Sequence, residues 1–231
     1  MNLELCTDCV EGALLAGRYG FKRIELCAAL SEGGLTPSFG MIESCSKAGM
    51  AEVHSMIRSR GGSFTCDDSE MAIMKKDIQA ASQAGAEGVV FGILKSNNEV
   101  SGVNGELLEL AHSFGLQATF HRAFDQVRDP FKTLDQLVEM GFDRLLTSGL
   151  KDRAIDGLEL IKSMQREYGS KIDIMAGSGV NPDNVLSFAN AGIENLHFTA
   201  RKQSEEVSIK GMGVNMVTDE AKIRAICDLF D

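Results

Sequence analysis

The feature that most constrains this chain is an eightfold alternation. Short apolar segments at residues 3–6, 23–27, 52–57, 88–93, 117–121, 144–147, 172–176 and 195–199 recur with turn-rich loops and helically patterned stretches between them, among the latter 69–84, 106–114, 130–140, 152–167 and 182–191. Asp129 before Pro130 and Asn181 before Pro182 read as N-cap followed by N1. Gly20, Gly85, Gly115, Gly141 and Gly192 stand where helices should stop, just ahead of the next strand. Such alternation builds a parallel sheet with helices outside it. Eight units in 231 residues predict an α/β chain folded as one (β/α)8 barrel domain over 1–231. A doubly wound open sheet would carry a glycine-rich turn after its first strand, where this chain has Cys6-Thr7-Asp8-Cys9. The longest irregular stretch, 201–217, is expected over the barrel mouth, ahead of a closing helix at 219–230.

Composition narrows the partners. Lys and Arg number 23 against 33 Asp and Glu, a net charge of −10, and no basic cluster exceeds two residues, so no nucleic-acid partner is expected. No apolar run reaches the roughly 18 to 20 residues that span a bilayer. The N-terminal segment lacks the basic and apolar regions of a signal peptide, which leads us to expect a cytoplasmic protein with no membrane partner. Six cysteines (Cys6, Cys9, Cys27, Cys45, Cys66 and Cys227) in so long a chain do not make a disulfide framework. Cys6-x-x-Cys9 has no second such pair to complete a zinc site.

Side-chain parity along the strands divides the residues sharply, because positions i and i+2 share a face. Glu4 with Cys6, Glu25 with Cys27, His54 with Met56 and Arg58, Thr119 with His121, Met175 with Gly177, and His197 with Thr199 fall on one face. Leu3, Leu5, Ile24 and Leu26 fall on the other. The apolar face should pack on the helices, leaving a barrel interior with two glutamates and three histidines. Buried charge is costly unless paired, so Glu4 and Glu25 are expected to meet Arg58, Arg60 or a histidine.

The loops after the strands carry Arg58-Ser59-Arg60-Gly61-Gly62, His121-Arg122-Ala123-Phe124-Asp125, Thr147-Ser148-Gly149 and Gly177-Ser178-Gly179. Glycines after strands seven and eight are where barrels often hold phosphate on backbone N–H groups. With Arg58, Arg60 and Arg122 on the same rim, the mouth reads as a site for a small anionic metabolite. Arg60, Arg122, Ser148, Gly149, Gly177, Ser178 and Gly179 are its expected contacts.

Several strings together are specific. Arg23-Ile24-Glu25-Leu26-Cys27, Gly33-Gly34-Leu35-Thr36-Pro37-Ser38, Met56-Ile57-Arg58 with Arg60-Gly61-Gly62, Thr119 through Asp125, Leu146-Thr147-Ser148-Gly149 and Ile174-Met175-Ala176-Gly177 resemble the CutC copper homeostasis family, in order along almost the whole chain. The resemblance implies a (β/α)8 barrel, a cytoplasmic location, homo-oligomers with a dimer favoured, and a role in handling Cu(I). It also implies that Cys6 and Cys27 are the copper ligands. The chain departs from the family pattern at Cys9, where serine is usual, at Ser59 for proline, at Ser63 for aspartate and at Cys66 for tyrosine.

Two uses of the mouth follow. Cu(I) prefers thiolate and thioether ligands, and Cys6 and Cys27 share a face on adjacent strands, with Met56 or His121 as further candidates. An enzyme of the isomerase, epimerase or lyase type would instead use Arg58, Arg60 and Arg122 to clamp a phosphate or carboxylate, Glu25 or Glu4 as base and His121 as acid. Lys95 is the one lysine at a strand end, which argues against Schiff-base chemistry.

Overall fold

A computed structural model describes residues 1–49, 51–205 and 214–230. Strands β1 (Asn2–Thr7), β2 (Arg23–Leu26), β3 (Glu52–Met56), β4 (Gly88–Phe91), β5 (Gln117–Phe120), β6 (Arg144–Thr147), β7 (Asp173–Gly177) and β8 (Asn195–Thr199) pair in parallel, each with the next. β8 returns to pair with β1, closing the barrel. Between and after them run α1 (Val10–Arg18), α2 (Phe39–Ala48), α3 (Asp68–Gln83), α4 (Asn104–Ser113), α5 (Pro130–Met140), α6 (Leu158–Tyr168), α7 (Val185–Asn190) and α8 (Glu220–Cys227).

Local chemistry starts and stops these elements. Asp67 and Glu70 form a reciprocal capping box at the head of α3. Asp129 accepts from the Lys132 N–H with Pro130 at the first position of α5, as the sequence predicts. Gly141 ends the same helix in the left-handed region, at φ 96°, which costs a residue without a Cβ nothing. The seventh helix differs from expectation. Asn181 and Pro182 open a turn rather than a helix, because the Asn184 side chain accepts the Asn181 N–H and α7 begins only at Val185. The stretch 201–217 also differs at its ends. β9 (Arg201–Gln203) and β10 (Met216–Thr218) pair antiparallel there, and residues 206–213 of the stretch lie outside those described.

The two strand faces separate as parity predicts. Leu5, Ile24, Leu26, Val53, Val89, Phe91, Ala118, Phe120, Leu145, Ile174, Leu196 and Phe198 point outward into one core shared with the helices. Fully burying each large apolar side chain contributes roughly 1.5–3 kcal/mol. Inside the barrel the apolar cluster is small: Cys6, Cys27, Met56 and Val90, with Leu30 packed against it. Leu146 and Met175 also face inward, and the polar residues of the interior include Glu4, Arg23, Glu25, His54, Thr119, Arg144 and His197. Inward glycines make room for the larger groups: a Cβ on Gly88 would lie 2.5 Å from the His54 ring, and one on Gly177 3.0 Å from His197.

Candidate functional site

Register stacks the interior charges in tiers. Glu4 of β1 lies opposite Arg23 of β2 and His197 of β8, while Cys6 lies opposite Glu25 and Thr199. In the lower tier Arg23 Nε donates to Glu4 Oε2 at 2.5 Å, and His197 Nδ1 meets Glu4 Oε1 at 2.7 Å. Arg23 also reaches the Met175 sulfur at 3.3 Å, and Arg144 donates to Thr119 Oγ1 at 3.1 Å. Glu4 thus meets a histidine as expected, but its arginine is Arg23 rather than Arg58 or Arg60. Burial alone would raise the Glu4 carboxyl; His197 and Arg23 outweigh it and hold the group well below the usual carboxylate range.

The upper tier is a thiol, carboxylate and imidazole cluster. One ligand atom each from Cys6, Glu25 and Cys27 lies within 4.8 Å of the others, and the same holds for Glu4, Glu25 and His197. Cys27 Sγ donates to Glu25 Oε2 at 3.6 Å, and His197 Nε2 stands 3.7 Å from that same oxygen. The Cys27 thiol, with help from His197, pulls the Cys6 pKa down to about 5 against the effect of burial. Cys27 is raised in turn by the Cys6 thiolate beside it. Burial, then the Cys6 charge, pushes Glu25 well above the ordinary range. Burial opposes the charge on His197, but Glu25, Cys6 and Glu4 around it raise its pKa well above the ordinary value.

Above this tier opens a cavity of about 160 Å³, lined by Cys6, Glu25, Leu30, Gly33, Met56, Phe64, His121, Arg122, Leu146 and His197. Cys27 is more deeply covered: a Cβ on Gly34 would lie 3.0 Å from its sulfur. His121 stands edge-on to Phe64 with ring centroids 5.0 Å apart, and its Nδ1 accepts the Ala123 N–H at 3.3 Å. Burial, reinforced by the Arg58 charge, pushes its pKa down to about 3. At neutral pH His121 is therefore an uncharged ring with its proton on Nε2, not the imidazolium acid that the sequence suggests.

The rim arginines are occupied differently from expectation. The Arg58 guanidinium donates to the carbonyls of Glu32, Gly34 and Gly62 and lies over the Phe64 ring, 4.9 Å from its centroid. It ties the loop after β2 to the loop after β3 rather than presenting a fork to an anion. Arg60 is turned away onto Glu70 and the Gly61, Ser63 and Thr65 carbonyls. Arg122 Nε and Nη2 bind Asp125 and Ser148 Oγ at 2.8 and 3.0 Å, and its Nη1 has no partner among the described residues.

Ser148 and Gly149 do not offer a free anion cradle. The Asp125 carboxylate accepts the Ser148 N–H at 3.0 Å, the Leu150 N–H at 3.2 Å and the Thr147 hydroxyl at 2.6 Å. The Gly149 N–H goes to Thr147 Oγ1 at 2.9 Å. In the loop after β7, Ser178 sits at φ 95°, its hydroxyl donating to the Asp152 carbonyl, while Gly177 packs against Leu146 and His197. Arg153 lies beside Gly179. The fold thus gathers Cys6, Glu25, His121 and Arg122 around one cavity, with Cys27 beneath them beside Cys6 and Glu25, and places Arg58, Arg60, Ser148, Gly149, Ser178 and Gly179 in loop contacts around it. The sequence patterns do not by themselves single out Arg23, Arg144, Asp125 or the bridging role of His197. Arg23 shares parity with Glu25, and that signal was available; Asp125 has no periodic pattern to reveal it.

Fold and cluster define a class: a (β/α)8 barrel with a buried dithiol, carboxylate and imidazole group under its C-terminal mouth. The sequence profile of the CutC family matches residues 1–202. A family protein CutC from Vibrio vulnificus strain YJ016 is 44% identical over 202 residues, covering 87% of this chain and 81% of that one. Another from Glaesserella parasuis serovar 5 is 38% identical, covering 98% and 97%. A solved structure from Streptococcus agalactiae, described as a candidate copper homeostasis protein CutC, superposes with a TM-score of 0.80 at 33% identity, over 86% of this chain and 98% of that one. The chain belongs to the CutC family.

Proposed function

We propose that the protein takes part in copper homeostasis and takes Cu(I) as its cargo, with Cys6 and Cys27 as ligands. The observation that carries the reading is the approach of both sulfurs and the Glu25 carboxylate to within 4.8 Å of one another at the foot of a cavity. The donor chemistry fits. Cu(I) favours soft sulfur, and Cys6 is held as a thiolate before any metal arrives. Met56, packed in the same cluster, supplies a thioether within reach. The protonated imidazole of His197 offsets negative charge that two thiolates would leave around a monovalent ion. The description of the Streptococcus agalactiae relative as a copper homeostasis protein supports the copper role. We further propose a cytoplasmic dimer, which sedimentation of the purified chain tests.

An anaerobic competition titration of reduced protein with Cu(I) tests the metal reading. One ion per chain is expected, lost when Cys6→Ser is combined with Cys27→Ser. Binding that survives the double change moves copper to other thiols and removes this reading.

A second reading has its own observation: Glu25, His197 and Cys6 line one cavity, with His197 Nε2 3.7 Å from Glu25 Oε2. An enzyme of the isomerase, epimerase or lyase type would use Glu25 as base, with His197 in place of the uncharged His121 as acid. Its substrate would be a small phosphorylated or carboxylated metabolite.

A further inference from the structure

The cavity above the cysteines is polar at two places and apolar between them. Glu25 Oε1 is buried and has no hydrogen-bond partner among the described residues. Leaving a buried polar atom unpaired is costly, so a ligand that pairs with it is favoured. A second polar place is formed by Arg122, with Nη1 unpartnered, and His121, whose proton sits on Nε2 because Nδ1 accepts from Ala123. Met56, Phe64 and Leu146 supply apolar wall.

Charge selects the anion. The cation of Arg122 is half spent on Asp125, and that same carboxylate fills the N–H groups of Ser148 and Leu150, where a phosphate would otherwise sit. A phosphate dianion would meet Asp125 as a like charge, with the Ser148, Gly149 and Leu150 N–H groups already taken. A carboxylate, carrying one charge, asks only for Arg122 Nη1 and one further donor. The other end requires a group that pairs with Glu25 in either protonation state; a hydroxyl donates and accepts, so it meets both. The cavity, about 160 Å³, suits a small metabolite.

We propose that this cavity binds a small hydroxy-carboxylate, its carboxylate on Arg122 and His121 and its hydroxyl on Glu25. The site requires neither copper nor turnover, since none of the three proposed contacts is a cysteine, although Cys6 lines the same cavity.

The test is isothermal titration of the metal-free, reduced full chain. The probes are glycolate, 3-hydroxypropionate, 4-hydroxybutyrate and 6-hydroxyhexanoate, with butyrate and hexanoate as hydroxyl-free controls and glycerol 3-phosphate as the phosphate control. At least one hydroxy acid should saturate one site per chain, with the matching alkyl acid about tenfold weaker or worse. Arg122→Gln should weaken that binding by a similar factor. Leu30→Trp, at the half-buried turn over the mouth, should block it without disturbing the barrel, and carries the test if Arg122→Gln fails to fold. The proposal is overturned if no hydroxy acid saturates, if glycerol 3-phosphate binds more tightly than every hydroxy acid, or if the folded variants bind like the wild type.

Discussion

Glu4 shows how much one side chain is asked to do. It is almost wholly buried, accepts from Arg23 and His197, and is the carboxylate partner of the arginine beneath the cluster. Removing one partner of a buried pair leaves the other charge uncompensated, which typically costs about 3–5 kcal/mol. Glu4→Gln should lower the urea-unfolding free energy by about that much; a loss below about 1 kcal/mol would show that the pair is not holding the barrel floor. His121 gives the opposite experiment. Its folded pKa, about 3, lies below the ordinary 6.5, so the unfolded chain takes up a proton that the native ring refuses. Stability should therefore fall as pH drops from about 6.5 towards 3, and His121→Asn should flatten the profile over that window relative to wild type. Parity put Glu4, Cys6, Glu25 and Cys27 inside from sequence alone. It pointed equally to Arg23, two positions before Glu25, but arginine at a strand start also suits an exposed end, and only the register shows it opposite Glu4.

At the scale of the element, the loop after β6 is a latch. Asp125, on the single turn after β5, gathers N–H and hydroxyl donors from Thr147 through Leu150. Asp125→Ala should drop the hydrogen-exchange protection of the Ser148 and Leu150 amides by about tenfold or more, with amides in the middle of β2 unchanged. Unchanged protection at both amides would mean the carboxylate adds nothing to the loop. The short strings after each strand marked where the mouth would lie, but their contacts were not legible. A glycine-serine-glycine run has the same composition whether its N–H groups wait for phosphate or are already taken. The choice is made by a carboxylate 23 residues away from Ser148, and no local pattern encodes that separation. Arg58 illustrates the same limit: its spacing from Arg60 suggests a fork, whereas its reach to three carbonyls on two loops is a tertiary matter. The seventh helix is shorter than predicted because an asparagine side chain occupied the turn before it.

Across the whole molecule, the barrel was the most legible property, since eight repeats of the same local alternation leave few other ways to bury eight apolar faces. The identity of the pairing β8 to β1 could not be read from any one segment, yet it carries the site. His197, near the end of the ring, bridges Glu4 and Glu25 from its start, a sequence separation of 193 between Glu4 and its imidazole partner. Contacts of such long range are the slowest to form, because the chain entropy is lost before the contact rewards it. A chain emerging from synthesis presents Cys6 and Cys27 long before residue 197 exists. Until then the two sulfurs lack the folded cluster around them, and behave as ordinary thiols. Maturation of the cluster and closure of the ring are therefore one event, so a growing or misfolded chain cannot display the finished site.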